Sequence, residues 1–248
     1  MKMTPTIDEA PYLTTEQMVE VDRAMIEDFR IELIQMMENA GRNLAHLSRV
    51  RFLGGNPTGK HVVIMAGSGG NGGGALVAAR RLHSWGADVR LLLAQPAEKM
   101  TPVPRHQLDI LQRMRVPGSD GPARLADVER TADLIVDGLI GYSLRGAPHG
   151  LIADLIRWAN RTGAPILSLD APSGIDTTTG TMFDPAISAT ATMTVALPKE
   201  GLRARGVEAH VGQLYLADIS VPPALYAEPA LNLTVGPLFA HDDIVRLR

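Results

Sequence analysis

The sequence predicts an α/β fold, a Rossmann-like three-layer α/β/α sandwich with a mostly parallel central sheet preceded by N-terminal helices. Three observations predict it. From His61 onward, short apolar runs alternate with helical patterns, the rhythm of a parallel sheet covered on both faces. Two of those runs, Leu134-Ile-Val136 and Ile166-Leu-Ser-Leu169, are almost continuously apolar, as strands buried on both faces are. The first run, His61-Val-Val-Ile-Met65, leads through the glycine-rich Gly67-Ser-Gly-Gly-Asn-Gly-Gly-Gly74 into a helical stretch, which is the first half of a βαβ unit.

Between Thr14 and Arg51 the apolar positions fall into two helical sets, Met18, Val19, Val21, Met25 and Ile26, then Leu33, Met36, Met37 and Ala40. Asp28-Phe-Arg30 separates them, so two helices are expected, the first capped by Thr14 or Thr15. Gly54 to Gly59 reads as a turn. Strands are expected over His61–Ala66, Asp88–Ala94, Leu134–Asp137, Pro165–Asp170, Ala191–Ala196 and Leu214–Asp218, with helices over Ala75–Trp85, Pro104–Met114, Leu125–Thr131 and Gly150–Asn160. The tail after Pro222 contains prolines and is weakly patterned.

At 248 residues, 45% of them hydrophobic, the chain can bury one large core, and one domain over residues 1–248 is expected. A net charge of −3, with no Lys/Arg run longer than two residues, supplies no field for a phosphate backbone and argues against nucleic acid as a partner. The absence of cysteine excludes disulfides and thiolate metal sites. Met1 to Ala10 carries acids and a proline where an export signal needs an apolar core, and no apolar run approaches the roughly 20 residues of a membrane span. A cytoplasmic protein without a membrane partner is the expectation.

In open α/β sheets, ligands bind beyond the carboxyl ends of the strands. Three such ends carry polar or glycine-rich turns: Gly67 to Gly74, Asp137 to Gly146 and Asp170 to Gly174. Gly67-Ser-Gly-Gly-Asn-Gly72 matches the dinucleotide fingerprint, but the acid that should follow the second strand is missing, where Ala94-Gln95 stands. A Walker loop fails too, since Ala75 stands where its lysine belongs. A helix start so rich in glycine still suits an anion, because its first backbone amides lack internal partners. A carboxylate at a strand end is costly to bury unless donors or a cation meet it. Asn71, Asp137 and Ser173 offer an amide oxygen, a carboxylate and a hydroxyl, a set that suits a weakly charged hard cation. Asp170 and Ser173, three apart across a turn stiffened by Pro172, can both face the crevice. The seven histidines lack metal-ligand spacing; His149, near the second loop, is expected to be solvated.

At these residues the chain resembles the NAD(P)HX epimerase family, known also as the YjeF N-terminal or apolipoprotein A-I-binding protein family. The marks are Met37-Glu-Asn-Ala-Gly-Arg42, the glycine-rich loop running into Leu76-Val-Ala-Ala-Arg80, Val136-Asp-Gly-Leu-Ile-Gly141, Leu169-Asp-Ala-Pro-Ser-Gly174 and Leu197-Pro-Lys-Glu-Gly-Leu202. The resemblance implies an isomerase acting on the (R) and (S) forms of hydrated NADH and NADPH. It implies a potassium ion at Asn71, Asp137 and Ser173. It places substrate against Gly70, Asn71, Gly72, Gly73 and Gly74, against Gly141, Tyr142, Ser143, Leu144, Arg145, Gly146 and Ala147, and at Asp170, the acid/base candidate. It also implies a homodimer and a dehydratase on a separate chain. The family's loop reads Asn-Asn-Gly-Gly-Asp-Gly, whereas this chain has Gly70 and Gly74 in place of the first asparagine and the aspartate. That departure opens an alternative, a non-catalytic nucleotide- or metabolite-binding module of the same fold. Under the enzymatic reading, aspartate restored at Gly74 is expected to raise activity.

Overall fold

The computed structural model describes residues 10–125 and 131–248. Helices α1 (Thr15–Glu27) and α2 (Leu33–Leu47) lead into β1 (His61–Ala66), α3 (Gly70–Ser84), β2 (Asp88–Leu93) and α4 (Pro102–Arg113). Then follow β3 (Leu134–Gly138), α5 (Gly150–Thr162), β4 (Ile166–Leu169), β5 (Ala191–Val195), α6 (Glu208–Val211), β6 (Gln213–Ala217), α7 (Pro223–Ala227) and β7 (Ile244–Arg246). The expected helix Leu125–Thr131 falls mostly on residues 126–130, outside the described ones.

The seven strands stand in the order β2-β1-β3-β4-β5-β6-β7. Every pairing is parallel except β6 with β7. Alternation along the strands divides the core. Val62, Ile64, Val89, Leu91, Leu134 and Val136 pack with α2, α3 and α4 on one face. Val63, Met65, Leu92, Ile135 and Ile166 pack with Leu155, Ile156 and Trp158 of α5 on the other. These are the three expected layers. A further apolar cluster joins α1 to α7 through Met18, Val21, Met25, Leu225 and Tyr226. It holds α1 across the carboxyl edge of the sheet, where Leu13 pairs with Lys199 as an isolated parallel bridge. Among the described residues, no helix is long and apolar enough to cross a membrane.

Local chemistry explains most boundaries. Thr14 caps α1 through a capping box with Gln17, and Arg30, at φ +57°, turns the chain between the two N-terminal helices. The main correction is α3, which starts at Gly70 and not at Ala75. Glycine is a poor helix former, yet here its missing side chain is what the packing uses. A Cβ at Gly72 would overlap the Gly67 carbonyl, one at Gly73 the Met37 thioether, and one at Gly74 would lie 2.8 Å from Leu169 Cδ2. The tail also holds more than its pattern announced, since α7 and the antiparallel edge strand β7 lie within it.

Strand order reverses direction at β1, which pairs with β2 on one side and β3 on the other. A crevice opens at such a point in a doubly wound sheet. Here the Gly67 turn runs so close to Leu139 that any side chain at Gly67 would overlap the Leu139 carbonyl.

Candidate active site

A cavity of about 350 Å³ opens at this switch point. Its walls are largely apolar: Met18 from α1, Leu33, Met36 and Met37 from α2, Leu139 and Ile140 after β3, and Leu169, Val195 and Ile219 from the sheet edge. Polar groups enter at Asp22, Ser68, Asn71, Tyr142, Ser143 and Asp170. A concave apolar site with a few convergent polar groups is the usual form of a ligand pocket.

Asp170 follows the last residue of β4 and adopts φ +67°, a left-handed conformation uncommon outside glycine and found at functional sites. Its backbone N–H donates to the Met193 carbonyl at 2.7 Å. Lys199 donates to Asp170 Oδ1. Lys199 is fully buried and Asp170 is 3% exposed, so the pair is an ion pair taken out of water. Such a pair holds only if its remaining donors are also satisfied. Lys199 meets that condition by donating to Val195 O at 2.8 Å and Thr194 Oγ1 at 3.2 Å. The second carboxylate oxygen, Oδ2, accepts the Tyr142 backbone N–H at 3.1 Å. A Cβ at Gly141 would lie 3.1 Å from both Asp170 Oδ2 and Asn71 Oδ1. Glycine at 141 therefore keeps the carboxylate and the amide open at the cavity wall.

Asp137 lies within β3 and is fully buried. Oδ1 accepts from Ser173 Oγ at 2.7 Å and Leu139 N at 3.2 Å, and Oδ2 from Ser173 N and Ser168 Oγ, each at 2.9 Å. Burial pushes its carboxyl above the ordinary carboxylate range, against the pull of these four donors. Asn71 donates its amide to the Leu169 carbonyl at 2.8 Å, which turns its Oδ1 toward Gly141.

Two further groups complete the site. Tyr142 donates its hydroxyl to Asp22 Oδ2. Burial raises the Asp22 carboxyl above its ordinary range, opposed by that hydrogen bond and by the charge of Lys199. Burial and the neighbouring Asp22 charge raise the Tyr142 phenol as well.

Of the residues expected at the site, Gly70, Asn71, Gly141, Tyr142, Ser143 and Asp170 line the cavity. Asp137 and Ser173 stand behind it, hydrogen-bonded to each other and fully buried. Gly72, Gly73 and Gly74 are buried in α3 against neighbouring backbone and side chains and do not line the cavity. Leu144, Arg145, Gly146 and Ala147 do not line it either; they run out on the loop before α5, where Arg145, Gly146 and Ala147 are exposed. His149 is exposed as expected and precedes the first residue of α5.

Sequence reasoning missed Asp22 and Lys199. Asp22 stands four residues after Met18 and three before Met25, a carboxylate set in the apolar stripe of α1, and that placement was a readable signal. Lys199 lies in the Leu197-Pro-Lys-Glu-Gly-Leu202 segment, where local sequence gives it no role.

A family model described as "YjeF-related protein N-terminus" matches residues 33–201. The chain belongs to the YjeF N-terminal family. Among its relatives is a protein of Dehalogenimonas lykanthroporepellens named NAD(P)H-hydrate epimerase, 39% identical over 92% of this chain and 89% of that one. Another of the same name, from Limosilactobacillus fermentum, is 32% identical over 83% of this chain and 95% of its own. A bifunctional NAD(P)H-hydrate repair enzyme of Moorella thermoacetica is 35% identical over 89% of this chain, which spans 42% of that longer protein. In fold, the YjeF N-terminal chain resembles the crystal structure of yeast ynu0, YNL200c, at a TM-score of 0.79 and 24% identity, over 96% of this chain and 100% of that one.

Proposed function

We propose that this chain is an NAD(P)H-hydrate epimerase, an isomerase interconverting the (R) and (S) forms of hydrated NADH and NADPH, with Asp170 as its proton carrier. The observation that carries the reading is the Asp170 carboxylate, held by buried Lys199 at the wall of the switch-point cavity. Water added to a dihydronicotinamide ring leaves one carbon bonded to both the ring nitrogen and a hydroxyl. Inverting that carbon requires a base for the hydroxyl proton and an acid to return it after the ring bond has opened and re-formed on the other face. Asp170 is anchored through Oδ1, while Oδ2 stands beside Gly141 and Asn71. Positioned proton transfer of this kind contributes about 10²–10⁴-fold in rate. The amides that open α3 at Gly70 and Asn71 precede its hydrogen-bond ladder and suit the substrate's diphosphate.

The reading includes a potassium ion held by Asn71, Asp137 and Ser173. The donors fit such an ion: an amide oxygen, a hydroxyl, and a buried carboxylate whose hydrogen-bond partners among the described residues are all neutral. Bound there, the ion would offset that charge and fix the Asp137–Ser173 turn. A second copy of the chain as partner and a dehydratase on a separate chain belong to the same proposal.

A stereochemically resolved assay of (R) to (S) conversion is the test. Conversion well above the spontaneous background, lost in Asp170→Asn, supports the assignment, and a rate equal to background in the wild type refutes it. The alternative of a non-catalytic module rests on the departures at Gly70 and Gly74; Gly74 is buried against Leu169 and does not line the cavity, whereas Gly70 does, and the same assay decides between the two readings.

A further inference from the structure

An epimerisation that opens and recloses a ring has two ends to serve, the hydroxyl oxygen that gives up its proton and the ring nitrogen that receives the electron pair of the broken bond. Asp170 serves the first. The cavity holds a second carboxylate, Asp22, whose immediate partners differ from those of Asp170. Asp170 is paired with a buried ammonium group. Asp22 stands among Met18, Leu33, Met36 and Ile219 in the cavity wall and makes its side-chain hydrogen bond to a neutral phenol. One carboxylate ion-paired with a lysine and a second set among apolar side chains against a phenol, both on one cavity, are placed to act as a base and an acid.

One residue joins them. Tyr142 gives its backbone N–H to Asp170 Oδ2 and its hydroxyl to Asp22 Oδ2, so the length of a single tyrosine sets the spacing of the two carboxylates. The helix carrying Asp22 is fixed to the same end of the sheet: Leu13 N donates to Pro198 O at 2.8 Å, Glu200 N to Leu13 O at 2.9 Å, and Thr15 N to Thr178 Oγ1 at 2.9 Å. The first two bonds flank Lys199.

We propose that Asp22 is the catalytic acid opposite Asp170, an inference that rests on the epimerase reading above. As the ring opens, Asp170 takes the hydroxyl proton, the O–H electron pair becomes the second bond of the carbonyl, and the carbon–nitrogen pair takes the Asp22 proton to form N–H. Reclosure on the opposite face returns both protons, Asp22 recovering its own from nitrogen and Asp170 giving its proton back to oxygen. No atom or electron is gained or lost.

The groups that set the charge state of Asp22 come from several elements. Tyr142 faces it from the loop after β3, Asp170 from the end of β4 and Lys199 from the turn after β5. Tyr226 of α7 responds to Asp22 and to Asp218. Arg23, beside Asp22 on its own helix, is engaged by Glu20, Glu27 and Asp28. Burial holds Asp22 in its protonated form to a higher pH than an ordinary carboxyl, and the enzyme should lose rate as pH rises through its titration.

The experiment measures kcat and KM for (R) to (S) conversion across pH 5–9 in the wild type, Asp22→Asn, Tyr142→Phe and Asp170→Asn, with thermal melts to establish folding. For Asp22→Asn the expected result is a kcat lowered about 100-fold or more, KM changed far less, and no alkaline limb. Tyr142→Phe removes a hydrogen bond to the Asp22 carboxylate and should move that limb to higher pH. Asp22→Glu, which keeps the acid and displaces it, should recover part of the rate and restore a limb. A folded Asp22→Asn that retains nearly full kcat and the wild-type pH profile overturns the proposal, and if Asp170→Asn is inactive in the same series the epimerase reading survives. If Asp22→Asn fails to fold, Tyr142→Phe decides: an unmoved limb overturns the assignment. A wild type without conversion above background overturns both.

Discussion

Asp137 and Asp170 occupy corresponding places at the carboxyl ends of adjacent strands, β3 and β4, and the fold treats them in opposite ways. Both are buried. Asp137 turns inward to four neutral donors from Leu139, Ser168 and Ser173, an arrangement that ties strand β4 and the turns after β3 and β4 to one carboxylate. Asp170 sits in a left-handed backbone conformation, is matched by the single charge of Lys199, and keeps one oxygen at the cavity wall. The difference teaches that a strand-end aspartate can organise a site or act in it, and that its partners decide which. Neutral donors stabilise a fixed charge and suit a cation beside it; a buried lysine and an open face suit proton transfer.

The comparison can be broken most severely at Lys199. Lys199→Met leaves Asp170 as a buried charge without its cation, and loss of one partner of such a pair costs about 3–5 kcal/mol. Chemical denaturation should show a fall of that size together with loss of turnover. A change under about 1 kcal/mol would place Asp170 in water and remove the contrast with Asp137. The Asp137 side is sharpened by potassium. An ion bound only to the folded state at a hundred times its dissociation constant adds about 2.7 kcal/mol, so melting in potassium chloride should exceed melting in lithium chloride at equal ionic strength. Ser173→Ala should abolish the difference.

A smaller effect is expected at Gly74. An aspartate there requires Leu169 Cδ2, 2.8 Å from the new Cβ, to give way, and overpacking of this kind costs about 1–3 kcal/mol. Gly74→Asp should lower the melting temperature and raise KM, since Leu169 lines the cavity. That reverses the expectation drawn from the family's loop. Weakest of all is a slope. The Asp22 carboxyl is raised in the fold, so from the ordinary carboxylate range near pH 4 up to its raised value the folded state holds more protons than the unfolded one. Its contribution to stability falls as pH rises through that window. Asp22→Asn should make the decline of stability with pH shallower there, measured by urea denaturation between pH 4 and 8.

Much of this was legible in the sequence because the signals were local. Apolar runs such as Ile166-Leu-Ser-Leu169 gave strands, Thr14 gave the start of α1, and the strand-end turns brought Asn71, Tyr142 and Asp170 to one crevice. What escaped depended on contacts between distant segments. The first turn of α3 is not legible because glycine disfavours helix, while Met37 and Leu169, far away in sequence, are what require glycine there. Lys199 becomes a site residue only when the turn after β5 folds beside β4. Asp22 becomes one only when the α1–α7 cluster lays α1 over the sheet edge. Periodicity marks Asp22 as a carboxylate set in an apolar stripe, but it does not say which distant segment either residue meets.

The central claim is the division of labour between the two aspartates, and parallel kinetics of Asp170→Asn and Asp137→Asn test it most directly. Each variant is assayed for stereochemical conversion and for substrate binding, with potassium varied. The account predicts that Asp170→Asn still binds substrate but loses about 10²–10⁴-fold in kcat at every potassium concentration. It predicts that Asp137→Asn is less stable, loses its response to potassium, and keeps a measurable kcat in the fraction that folds. Asp170→Asn turning over at the wild-type rate, or both variants losing kcat equally while remaining folded, would contradict it.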